Sequence, residues 1–316
     1  MSLAFAFPGQ GSQSVAMMAP FESLPKVRET FDEASEAIGL DLWNLVREGP
    51  ASELEKTVNT QPVMLAAGIA LWRAWKASGG SNPVVVAGHS LGEYTAMVAA
   101  GVLDFRETMK FVRLRATVMQ EAVPAGQGAM AAILGLDDES IRAICREASV
   151  DGGVAEAANL NSPGQVVIAG NTAGINRAID LAKAKGAKRS VLLAMSVPSH
   201  CSLMRPAAER LMQPIRDLQV RAPVIPFLND VDAASETDPA RIRAAMMRQL
   251  YNPVRWVDIV QGMARHGASH VVECGPGGVL TGVNKRAAPE LKAIALKDTQ
   301  SFADLLETAK GSHGAT

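Results

Sequence analysis

Cysteine is scarce in this chain. Three occur in 316 residues, and Cys145, Cys201 and Cys274 are an odd number with no C-x-x-C spacing. That argues against a disulfide framework and reads as reduced thiols in a cytoplasmic protein. An excess of either charge is also lacking, with 31 Lys plus Arg against 32 Asp plus Glu. No basic field therefore points to nucleic acid or to an acidic membrane surface. Long apolar runs are missing too. The longest, Pro62 to Trp72, ends at Arg73 and is too short to span a bilayer. The start, Met1 to Phe7, has no basic flank and meets Pro8-Gly9 too early for a secretory segment. A dinucleotide fingerprint starting at Gly9-Gln10-Gly11 would need glycine at position 14, where Ser14 stands, and no Gly-Lys-Ser/Thr offers a phosphate loop. The expectation is a soluble intracellular protein.

What is present centres on Pro83 to Met97. A β-branched run, Val84-Val85-Val86, leads into Gly88-His89-Ser90-Leu91-Gly92, and a good helix former follows. This is G-x-S-x-G in strand–turn–helix context, the arrangement that presents a serine hydroxyl at a tight elbow. The backbone N–H of Leu91 opens the helix, where donors are unpaired and the dipole favours negative charge. An oxyanion formed on an acyl group at Ser90 would be stabilised there. The alternative is a tight strand–helix turn with a capping serine.

The rest of the chain alternates strands and helices. Leu3 to Phe7 reads as a buried strand, and its glycine-rich loop brings Gln10 to the strand's carboxyl end. Ser52-Glu53-Leu54-Glu55 fits a capping box, Pro62 suits the first turn of a helix running to Ala77, and Asp104 to about Ala122 is helical. From Gly126 the order becomes β-α-β-β-α-β, the ferredoxin-like pattern, ending with a strand over Arg189 to Met195. Later segments include a strand at Val224 to Leu228, a helix at Pro239 to Leu250, a strand at Ser269 to Cys274 and an outer strand at Lys292 to Leu296. The end, 311–316, reads as disordered. The expected architecture is α/β: a discontinuous core with a parallel sheet, residues 1–124 and 197–316, and an inserted ferredoxin-like subdomain, residues 125–196.

One helix carries an anomaly. Phe111, Val112, Val118 and Met119 form an apolar face, and Arg115 lies in the middle of it with no acid three or four residues away. A guanidinium held there needs a partner, either a distant Asp or Glu or the carboxylate of a substrate, which its planar fork can grip at two points.

A nucleophilic serine also needs a base. Of the five histidines, His89 belongs to the elbow and should point away from Ser90. His266 precedes a helix-ending glycine, His270 begins a strand and His313 is in the tail. His200 remains, in the loop Ser196-Val197-Pro198-Ser199-His200-Cys201 at a subdomain junction. No acid is well placed to complete a triad. A neutral group, a backbone carbonyl or Gln249, is the expected orienter of the imidazole.

Phe7-Pro8-Gly9-Gln10-Gly11-Ser12-Gln13, Gly88 to Glu93, Arg115, Asn161 to Gly170, Pro198 to Cys201, Gln249 and the glycine turn at 275–278 resemble, as a set and in order, the bacterial malonyl-CoA:acyl carrier protein transacylases. The resemblance covers nearly the whole chain and implies an α/β-hydrolase-like core with a ferredoxin-like insert. It implies that Ser90 carries the acyl group, His200 is the base, Gln10 and the Leu91 N–H form the oxyanion hole, Arg115 holds the malonyl carboxylate and Gln249 helps orient His200. The implied partners are malonyl-CoA and holo-acyl carrier protein, served without metal or redox cofactor by a monomer, either in fatty-acid synthesis or beside a polyketide synthase. One departure is Asp230, in Leu228-Asn229-Asp230-Val231-Asp232, where such proteins often carry a second asparagine. An approach of Asp230 to His200 would replace the neutral orienter with an acid.

Overall fold

The computed structural model describes residues 1–124, 126–195 and 197–311. Its nine strands, among the described residues, form two sheets: β1 (Leu3–Phe7), β2 (Val85–Gly88), β3 (Gly128–Leu134), β4 (Ala155–Ser162), β5 (Gln165–Asn171), β6 (Arg189–Leu192), β7 (Phe227–Leu228), β8 (His270–Glu273) and β9 (Lys292–Ala295). The first sheet is parallel throughout, in the order β7-β2-β1-β8-β9. The second is antiparallel, in the order β4-β5-β3-β6, which is the ferredoxin-like arrangement.

Both faces of the parallel sheet are covered, so its central strand is an unbroken apolar run. Leu3, Phe5, Phe7 and Val86 pack with the long helix Thr57–Ala77 in one cluster. Ala4, Ala6, Val85 and Ala87 face Trp256, Ile259, Val260 and Met263 in another. Alanines on that face leave room for the helix Trp256–Arg265 and its buried indole. Because β7, β2, β1 and β8 run the same way, the segments after all four emerge at one edge. That edge receives Gly9-Gln10, His89-Ser90 and Asn229-Asp230.

The antiparallel sheet joins this edge through main-chain bonds. Leu160 N–H donates to the Val254 carbonyl and Val254 N–H to the Ala158 carbonyl, each at 2.9 Å. One face of that sheet packs on its own helices, Asp138–Ala148 and Thr172–Ala184. The other presents Met130, Ala158, Val167 and Ala169 to Cys201, the neighbour of His200.

Several local expectations are corrected. Ser52 lies inside the short helix Ala51–Leu54, whose N-cap is Pro50, so no capping box forms. The long helix starts at Thr57 and not at Pro62, because Asn59 and Thr60 side chains tie its first turn to the Glu53 and Leu54 carbonyls. Strand β7 is limited to Phe227–Leu228, since Pro226 has no N–H to give the ladder. The last strand of the antiparallel sheet stops at Leu192 and does not reach Met195. A C-terminal helix, Thr299–Gly311, escaped the sequence reading although Asp298 and Ser301 bond reciprocally at its start. Gly311 of the expected disordered tail belongs to that helix, and 312–316, with His313, lie outside the described residues. So do positions 125 and 196, at the expected subdomain boundaries. All three cysteines are buried and free. Among the described residues, no helix is long and apolar enough to cross a membrane.

Candidate active site

Ser90 sits between β2 and the helix Leu91–Ala99 with φ of 54° and ψ of −106°, a conformation that a non-glycine residue adopts only under constraint. The constraint is visible in its neighbours. A Cβ on Gly92 would lie 2.1 Å from the Phe7 carbonyl oxygen, and one on Gly88 would lie 1.8 Å from the Gly92 carbonyl oxygen. Only glycines let strand, turn and helix close this tightly. The Ser90 N–H is anchored to Asp230 Oδ2 at 2.9 Å, and the Ser90 carbonyl accepts from Gln249 Nε2 at 2.9 Å.

His200 stands over the serine. Its Nε2 is 2.7 Å from Ser90 Oγ, and its Nδ1 faces two main-chain carbonyls, Gln249 at 3.0 Å and Asn252 at 3.2 Å. A carbonyl can only accept, so Nδ1 carries the hydrogen and Nε2 is left as the acceptor for the serine hydroxyl. The residue is itself held at φ of 65°, with its N–H on the Leu250 carbonyl. Burial, reinforced by the nearby Arg115 charge, pushes the imidazole pKa down to about 3.

Gln249 contributes to His200 through its carbonyl, not its side chain. The amide group instead links Arg115, Ser90, Glu93 and Asp230. Asp230 does not take the place of an orienting acid, since it binds the Ser90 N–H. His89 points away from Ser90, bonding Asn161 Oδ1 at 2.9 Å and packing against Trp256. That contact ties the elbow to β4.

Arg115 is 1% exposed and lies over the Tyr94 ring at 5.3 Å. Its Nη1 donates to Gln61 Oε1 at 2.7 Å, and its Nη2 donates to Gln249 Oε1 at 3.0 Å and to Ser90 Oγ at 3.5 Å. Every one of these partners is neutral. Among the described residues, no carboxylate forms an ion pair with Arg115, and its Nε finds no acceptor. The distant Asp or Glu that would make it a structural ion pair is not there.

Ser90, Leu91, His200, Arg115 and Gln10 all line one cavity of about 680 Å³, ample for an acyl thioester and its pantetheine arm. Leu91 occupies the first helical position, where its N–H has no carbonyl one turn back. Gln10 lines the same cavity, with its amide donating to Thr57 Oγ1 at 3.3 Å. Sequence reasoning passed over Gln61 and gave no role to Glu93 and Asn161, which it placed only within longer motifs. The signal for the first two was a polar residue inside an apolar helix, Gln61 before Pro62-Val63-Met64 and Glu93 among Leu91, Ala96 and Met97. Asn161 gave none, since its partner lies 72 positions away.

A hydroxyl bonded to a neutral imidazole, beside a buried cation with no direct ion pair and an unpaired helix N–H, is the layout of a site for acyl transfer on acids. Residues 4–308 match the acyl transferase domain family. The chain is 52% identical over 305 residues to the malonyl CoA-acyl carrier protein transacylase of Escherichia coli K12, covering 96% of this chain and 98% of that protein. It is 42% identical to the Bacillus subtilis protein of the same name, covering 98% and 97%. Among solved structures, an acyl-carrier-protein S-malonyltransferase from Burkholderia pseudomallei is 53% identical, with a TM-score of 0.94 over 97% of this chain and all of that one. A malonyl-transacylase solved in complex with its holo type II PKS acyl-carrier protein is 49% identical, with a TM-score of 0.95 over 98% of this chain and all of that one. This chain therefore belongs to the acyl transferase family, in the branch whose curated members are malonyl CoA-acyl carrier protein transacylases.

Proposed function

We propose that the protein moves malonyl groups from malonyl-CoA to the phosphopantetheine thiol of acyl carrier protein through a malonyl ester on Ser90. Residues 1–124 and 197–316 form the catalytic core in this reading, and 125–196 an inserted subdomain that closes one side of the cavity. The observation that carries it is Arg115, a buried guanidinium 3.5 Å from the nucleophile and bonded only to neutral groups. Such a cation is costly unless an anion arrives to pair with it, and malonyl brings a carboxylate where acetyl does not.

Ser90 Oγ attacks the thioester carbonyl as His200 Nε2 takes its proton. The oxyanion of the tetrahedral intermediate is received by the Leu91 N–H and the Gln10 amide, which turns from Thr57 to reach it. Collapse breaks the C–S bond, and the thiolate of coenzyme A leaves with the proton from His200. The thiol of the carrier's pantetheine then enters, gives its proton to His200 and attacks the ester carbonyl. Ser90 recovers its proton as malonyl thioester departs. The two carbonyls on Nδ1 keep the imidazole in one tautomer through both halves. A malonyl carboxylate on Arg115 also offsets the positive charge that depresses His200, so the acidic substrate strengthens the base that acts on it.

Incubation with malonyl-CoA should add one malonyl mass on the peptide containing Ser90, and Ser90→Ala should abolish it. An adduct that survives in the variant would remove the elbow from the mechanism. Fatty-acid carrier protein is the acceptor in this reading. The likeness to a malonyl-transacylase bound to a PKS carrier favours polyketide carriers as the second choice, and transfer rates to each carrier decide between them.

A further inference from the structure

Beneath the nucleophile lie two carboxyl groups for which acyl transfer has no use. Glu93 is on the elbow helix and Asp230 follows β7, and they are 0% and 1% exposed. Asp230 Oδ2 accepts from the Ser90 N–H at 2.9 Å and from Gln249 Nε2 at 3.3 Å, and Glu93 Oε2 accepts from Gln249 Nε2 at 2.5 Å. The other two oxygens, Asp230 Oδ1 and Glu93 Oε1, are buried and receive no donor from any other described residue. Both carboxyl groups thus crowd the one amide nitrogen of Gln249, each with a buried oxygen left over. Two carboxylates side by side in a buried site, with no cation in an ion pair with either among the described residues, do not both stay ionised.

We propose that Asp230 and Glu93 share a single proton, carried by Asp230, and that this acid–carboxylate pair is the device that positions the Ser90 elbow. The surroundings agree. Burial, and then the Glu93 charge beside it, raise the Asp230 carboxyl well above the usual carboxylate range. The neighbouring charges offer no second cation to hold a second anion. Arg115 acts from the helix Phe105–Ala122 without forming an ion pair, and His89 and His200 are kept neutral by burial. Asp232 is paired with Arg248, and Arg255 with Asp258. Tyr94, on the elbow helix, has its hydroxyl pushed further from ionisation by burial. The proton lets Asp230 donate to Glu93 with one oxygen while the other accepts from the strained Ser90 peptide. It also limits the pair to one negative charge, so that Arg115 remains available to a substrate carboxylate. That last consequence rests on the acyl-transfer reading; the shared proton does not.

The test uses the full chain. At about pH 8 an ordinary Asp or Glu is ionised. The infrared spectrum of the wild type should nevertheless contain a protonated-carboxyl carbonyl band that shifts in heavy water and is absent from Asp230→Asn. In rapid-quench acylation by malonyl-CoA, Asp230→Leu, which removes the acceptor for the Ser90 N–H, should lower the rate by about tenfold or more. Asp230→Asn should recover most of that loss, since its amide can donate to Glu93 and accept from Ser90. A wild type without the band overturns the proposal even if the leucine variant fails to fold, and so does a leucine variant that acylates at the wild-type rate. Failure of the acyl-transfer reading would show as no malonyl adduct on Ser90, with the infrared band untouched.

Discussion

The guanidinium of Arg115 is held by the amide oxygen of Gln61 at 2.7 Å, a neutral partner where a buried cation would ordinarily have an acid. Gln61 orients the fork without neutralising it. The guanidinium beside Ser90 therefore has no carboxylate paired to it directly, and the first two predictions follow from that.

Replacing Gln61 by glutamate would give Arg115 an internal counter-ion. Malonyl-CoA must then compete with a carboxylate already in place, and its KM should rise by about tenfold or more. Steady-state kinetics at saturating carrier protein measure this. An unchanged KM would show that Arg115 does not receive the substrate carboxylate.

Arg115→Ala should lower malonyl transfer steeply while acetyl transfer holds or improves, because only acetyl leaves the wild-type arginine unpaired in a closed site. Arg115→Lys should recover part of the malonyl activity, since an ammonium cannot bind the carboxylate with two parallel bonds. Competition between malonyl-CoA and acetyl-CoA gives the ratio directly. An equal loss of both activities, with the circular dichroism unchanged, would make Arg115 a structural residue.

His200→Ala should acylate about 10²–10⁴-fold more slowly. The pH dependence has a definite sign. In the proposed mechanism the neutral imidazole is the base, and with its pKa near 3 it stays neutral well below about pH 6.5, where an ordinary histidine takes a proton. Acylation by malonyl-CoA should thus persist at pH values where a solvent-exposed histidine base would already be lost. In the unfolded chain the same group titrates normally. Its contribution to stability is present above about pH 6.5 and is lost as the pH falls towards 3. The melting temperature of the wild type should fall more steeply on acidification than that of His200→Gln. Parallel curves would mean that His200 is not desolvated.

Gly92→Ala places a methyl group 2.1 Å from the Phe7 carbonyl oxygen, against backbone that cannot yield. The variant should be destabilised by about 3 kcal/mol and should acylate poorly even where it remains folded, because the elbow must open to admit the methyl. Thermal unfolding followed by acylation well below the transition checks both parts. A stability within error of wild type would contradict the close approach of helix to strand.

How far these features could be read in advance depended on the range of the physics behind them. The elbow, the apolar strand before it, the misplaced Arg115 and the β-α-β-β-α-β order are local patterns, set by glycine tolerance, by burial periodicity and by turn chemistry within a few residues. They pointed to Ser90 as the candidate nucleophile and to His200 by removing histidines with ordinary local roles. Tertiary structure decided what those residues touch. The parallel sheet brings segments 140 and 159 positions from Ser90 to its backbone, as Asp230 and the amide of Gln249, and no local pattern encodes such encounters. For the same reason only the fold could show that His200 is oriented by main-chain carbonyls, which every residue has and which a sequence cannot distinguish. Whether Arg115 had an acid partner was likewise open, because a buried charge is balanced by whatever the packing delivers. The packing delivered two glutamines as its direct partners, and no carboxylate forms an ion pair with it among the described residues.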